Sequence, residues 1–86
     1  AVYMLDAEIN NGGHTQYFFN SSGDDWQNAL DGLKVMGMED RAAVFQRSLD
    51  YFGAKGPSSD RKTRQTQLSK VYRKHEADLK KLDSQY

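Results

Sequence analysis

Apolar residues recur along this chain at the three- and four-residue spacing of helices, and no stretch alternates as a strand does. Val2, Leu5 and Ile9 fall at i, i+3 and i+7, which predicts a helix over residues 1–10 whose stripe also accepts Tyr3 or Met4. Asn10-Asn11-Gly12-Gly13 stops it, because both residue types tolerate the left-handed backbone that closes a helix. His14 to Asn20 then carries Tyr17, Phe18 and Phe19, more rings than one helical face can bury, and predicts a short aromatic helix at the centre of the fold. Ser22 reads as the N-cap of the next helix, with Asp25 as capping-box partner and Asp24 favouring the dipole. That helix spans 23–36 along Trp26, Leu30, Leu33 and Val35 or Met36, and Gly37 ends it. Glu39 to Phe52 forms another through Ala42, Phe45, Leu49 and Phe52, and Gly53 ends that one. The Gly37-Met38 link is so short that the two helices pair as an antiparallel hairpin.

Residues 53–59 hold the sole proline and read as an exposed linker before a cap at Ser59 or Asp60. Beyond it Leu68, Tyr72, His75, Leu79, Leu82 and Tyr86 form a near-heptad seam on a highly charged helix, with a break expected between His75 and Asp78. The seam is expected to dock on the preceding helices, with a partner subunit as the other candidate. The fold class is therefore all-α: a small domain of about five helices, with a short central aromatic helix, a helical hairpin and a long C-terminal helix. Tyr17, Phe18, Phe19 and Trp26 are expected to share its core. Replacing Phe18 or Phe19 by Ala costs about 3–5 kcal/mol if the ring is fully buried.

A chain of 86 residues makes one domain, 1–86. It buries only roughly 60–65% of its unfolded surface, so its margin of stability is modest. Ten large rings argue against disorder. The helical register already running at Ala1 without a cap leads us to expect that N-terminal helices of a fuller domain are missing. Without cysteine there is neither a disulfide framework nor a thiolate zinc site. No apolar run approaches a membrane span, so we expect no membrane partner and a cytoplasmic location.

Net charge is zero, yet it is divided. Through Phe45, seven acids (Asp6, Glu8, Asp24, Asp25, Asp31, Glu39, Asp40) face two bases, a charge of −5; from Gln46 on, ten bases face five acids, +5. The candidate chemistry is sparse by comparison. His14 and His75 lie on different helices with no carboxylate at a ligand spacing, so no metal and no cofactor is expected. Gly12-Gly13 lacks the preceding strand and the Lys of a phosphate loop. Asp24-Asp25 and Glu39-Asp40 fall in first turns, where the helix dipole explains them. No catalytic residue can be named, which predicts a non-enzymatic chain. Arg61, Lys62, Arg64, Lys70, Arg73, Lys74, Lys80 and Lys81 on the last helix make nucleic-acid binding the alternative reading. Interrupting acids and the negative first half weigh against it.

The segment Glu8 to Asp24, EINNGGHTQYFFNSSGD, resembles the signature of a family of small bacterial helical domains, the DNA mimic protein 19-like domain. Ala29-Leu30 through Met36-Gly37, the Phe45 to Gly53 helix end, Gly56-Pro57-Ser58-Ser59-Asp60-Arg61 and Leu82-Asp83-Ser84-Gln85-Tyr86 are similar in kind and order. The resemblance implies an all-helical fold without enzymatic activity. It implies a dimer that imitates DNA phosphates with surface carboxylates and sequesters a partner protein such as a transcription regulator. In this chain the acids able to do so are Asp6, Glu8, Asp24, Asp25, Asp31, Glu39 and Asp40. A general interaction module, for example one that neutralises a toxin, is equally compatible.

Overall fold

Helix spacing is carried through to the structure. The computed structural model describes residues 1–86 as four α-helices and one 3-10 turn, without strands: α1 (Val2–Phe19), the turn Ser21–Asp25, α2 (Trp26–Val35), α3 (Glu39–Asp50) and α4 (Arg61–Gln85). The expected stop at the two glycines is present inside α1, where Gly12 (φ −152°, ψ 15°) and Gly13 (φ 80°, ψ −178°) leave helical geometry and the chain restarts at His14. The first two expected helices thus form one kinked element, which is why four α-helices replace about five. α4 is likewise two segments, because His75 (φ −129°, ψ 23°) breaks it at the near edge of the expected interval.

The hairpin forms as expected. α2 ends in a Schellman pattern, with Met38 N–H bonded to Leu33 O at 2.9 Å and Gly37 N–H to Lys34 O at 3.1 Å. The core joins α1 (Leu5, Ile9, Tyr17, Phe18), α2 (Ala29, Leu30, Leu33), α3 (Ala42, Phe45, Leu49) and Leu68 of α4. Phe45 is its hub, with ring centroids 5.6 Å from Tyr17, 6.1 Å from Phe18 and 6.2 Å from His14.

Several expectations are corrected. Phe19 is 51% exposed and lies outside the core, because Tyr17 and Phe18 take the inward positions and a third consecutive ring must point away. Phe18→Ala is therefore expected to cost about 3–5 kcal/mol and Phe19→Ala under about 1 kcal/mol in urea denaturation. Trp26 is half-buried at the rim, where its ring faces Gly56 and its Nε1–H donates to Pro57 O at 2.9 Å. That contact pins the 53–59 segment, and Pro57 is buried rather than exposed. Val35, Met36, Tyr3 and Met4 all face outward. The α4 seam runs through Arg64, Leu68 and Val71, then Leu79 and Leu82; Tyr72 is turned outward. The break at His75 resets the register, so one straight heptad row does not describe both halves. No helix is long and apolar enough to cross a membrane.

Candidate functional site

The residues 14–19 are too few to hold a helix by themselves. Both ends of this segment are capped by side chains of α4. At its start, the Asp83 carboxylate accepts the His14 backbone N–H at 2.8 Å and meets His14 Nδ1 at 2.6 Å. At its end, Arg64 Nε donates to Phe18 O at 2.7 Å, Arg61 and Gln65 donate to Phe19 O at 3.1 and 2.9 Å, and Arg64 Nη2 donates to Asn20 O at 2.8 Å. An acid at the amide end and bases at the carbonyl end match the helix dipole and satisfy groups that a helix terminus leaves open. In a straight helix Arg64 and Asp83 would be about 28 Å apart, so the break at His75 is what lets one helix reach both ends.

Arg64 is completely buried. Its guanidinium also donates to Ser58 O at 3.1 Å, Ser59 O at 3.3 Å and the Asp24 carboxylate at 2.7 Å. Gly23 allows this approach, since a Cβ there would stand 2.7 Å from Tyr17 O and 2.9 Å from Arg64 Nε. The expected capping box is accordingly absent. Asp24 turns to Arg64, Asp25 accepts from Asn28 Nδ2 at 2.6 Å, and Ser22 Oγ is buried without a partner. Asp60 does cap α4, accepting from Thr63 N–H at 3.0 Å, and this bond with the Thr63 hydroxyl lowers its carboxyl pKa.

His14 is fully buried between Phe45 and Tyr86. A carboxylate can only accept, so Nδ1 carries the proton and Nε2 is left buried and unpaired. Burial lowers the imidazole pKa below its ordinary 6.5, against the upward pull of Asp83. The neutral form is thus the one the fold accepts. Stability is expected to be full above pH 6.5 and to fall as pH drops below it, since the unfolded chain binds a proton that the folded chain resists. Urea midpoints measured from about pH 7.5 to about 5.5 should fall in the wild type and fall less in His14→Gln.

The seven acids of the first half differ in what they are bonded to. Asp6 is bound by Arg41 at 3.5 Å and by the Tyr86 hydroxyl, and Glu8 accepts from Asn20 Nδ2 at 2.6 Å. Burial raises the Tyr17 pKa, and the charges of Asp25, Asp24 and Glu8 raise it further. Tyr86 is raised by burial and by its bond to Asp6. Asp31, Glu39 and Asp40 are exposed and belong to no ion pair, and exposed Val35 and Met36 lie beside them in the chain. Of the α4 bases, Arg64 is withdrawn into the interior and Lys80 pairs with Glu76 at 3.0 Å. No three His, Asp or Glu side chains converge as a metal-ligand set.

The clamp of Arg64 and Asp83 was missed by sequence reasoning. Arg64 carried one signal: it precedes Leu68 by four residues and so shares the apolar side of α4. Asp83, next to Leu82, carried none.

These features define a class, an all-helical domain in which the restarted half of a glycine-broken first helix is capped at both ends by a bent last helix. The chain belongs to the DMP19-like protein family, whose model matches residues 1–86, its whole length. No curated relative and no solved structure matches this chain.

Proposed function

We propose that this domain is a non-enzymatic protein-interaction module that engages a positively charged partner through exposed carboxylates. The observation that carries this reading is the division among the acids. Asp6, Glu8 and Asp24 bond partners within the fold and Asp25 bonds Asn28, whereas Asp31, Glu39 and Asp40 are exposed, belong to no ion pair and flank outward-facing Val35 and Met36 in the chain. Apolar anchors with a charged rim are the usual composition of a protein contact, and the charges steer the encounter. Membership of the DMP19-like family supports a protein of the DNA-mimic type. On this reading the carboxylates occupy the place of phosphates before a DNA-binding protein such as a transcription regulator. A homodimer, cytoplasmic like its partner, would double the array.

The test is capture of partners from the host by the wild type and by the triple variant Asp31→Asn, Glu39→Gln, Asp40→Asn. The expected partner is a basic protein, released as ionic strength rises past about 0.15 M and lost by the triple variant. A partner held equally by the variant, or an acidic one, would refute the reading.

A further inference from the structure

The face opposite in charge to that acidic surface has a shape of its own. The restarted half of α1 and the two halves of α4 enclose an open groove of about 380 Å³, within the range of specific binding clefts. Most of its surface is apolar and comes with Phe19, Leu68 and Tyr72, while Gly12, Thr15, Lys80 and Asp83 also line it. Phe19 and Tyr72 are 51% and 37% exposed, although a core lies within reach of both helices. Along one side the groove shares Gln65 and Ser69 with a shelf carrying Lys62, Lys70 and Arg73. All three cations are exposed and none belongs to an ion pair. Arg61 adds a fourth, its guanidinium 5.9 Å from the Phe19 ring centre.

We infer that this groove is a docking site for an acidic amphipathic helix of a partner protein, which places apolar side chains on Phe19 and Tyr72 and sets its carboxylates against Lys62, Lys70 and Arg73. Charge complementarity selects the sign of the occupant. The trough between helices selects its shape, that of helix-in-groove recognition with anchors at i, i+3, i+4 and i+7. This site shares no residue with the acidic surface, so either can fail alone.

A displayed library of random peptides, selected against the whole protein, is expected to enrich sequences of net negative charge with large apolar residues at helical spacing. A synthetic peptide of the enriched sequence, followed by fluorescence anisotropy, should lose about tenfold or more in affinity on Tyr72→Ala or on Phe19→Ala. A comparable loss is expected for Lys70→Glu with Arg73→Glu. The affected positions are at the surface, and circular dichroism would establish that each variant keeps its helices. Absence of enrichment, enrichment of basic or uncharged sequences, or equal binding to the Tyr72→Ala variant would overturn the proposal. So would a short oligothymidylate that binds more tightly than every enriched peptide and is lost on the same substitutions.

Discussion

Arg64→Met is expected to cost at least about 5 kcal/mol, a large part of the stability available to a domain of this size. The guanidinium is fully buried and makes five hydrogen bonds, to Phe18 O, Asn20 O, Ser58 O, Ser59 O and Asp24. Asp24 is half exposed and regains water when Arg64 is removed, so most of the loss comes from the four carbonyls, each about 1–3 kcal/mol where it is left buried without a donor. Methionine fills part of the space and replaces none of the donors. Arg64→Lys should recover only part of the loss, because one ammonium cannot meet acceptors spread around a planar fork. Urea denaturation followed by circular dichroism measures both. A loss under about 1 kcal/mol, the value of an ordinary surface substitution, would show that Arg64 does not anchor α4.

Gly13→Ala is expected to be comparably costly, at about 4–9 kcal/mol. Its φ of 80° with ψ of −178° lies in a region that residues with a side chain hardly enter, and forcing one there costs of order 1–3 kcal/mol. A second effect is steric. The added Cβ would stand 2.2 Å from the Asp83 carboxylate, which must then withdraw from the His14 amide and imidazole. Losing two hydrogen bonds to a charged group costs about 1.5–3 kcal/mol each. Gly12→Ala makes the useful comparison, because its nearest obstacle is mainly the flexible Gln16 side chain. It should destabilise much less; equal costs at both positions would remove the argument for Asp83.

Helical periodicity made most of the architecture legible in the sequence. The glycine stop before His14, the hairpin turn at Gly37, the Asp60 cap and the break at His75 all arise from local backbone preference, which a sequence displays directly. The errors arose where a distant group overrides the local one. Ser22 and Asp25 have the spacing of a capping box, yet Arg64, forty residues beyond Asp24, draws that segment into a 3-10 turn. Phe19 is as apolar as Phe18, and only the packing of α1 against α3 and α4 decides which ring faces inward. Among the surface charges the sequence revealed sign and number. It could not reveal that Arg64 is absent from the basic face, or that Asp6, Glu8 and Asp24 are occupied within the fold.

The motif that carries the family likeness is thereby explained as scaffold. Gly13 and His14 receive Asp83, Tyr17 and Phe18 fill the core, Asn20 and Asp24 receive Arg64, and Gly23 makes room for it. Phe19 is the exception within the motif, since its ring is turned outward.

Amide hydrogen exchange of residues 14–19 tests the clamp most directly. A six-residue helix behind two glycines has no protection of its own, and the first amide of a helix is ordinarily free to exchange. Bonded to Asp83, the His14 amide is expected to exchange at least about a thousandfold more slowly than in an unstructured peptide, together with Tyr17 and Phe18. Rapid exchange across 14–19, with the α2–α3 hairpin still protected, would contradict the account.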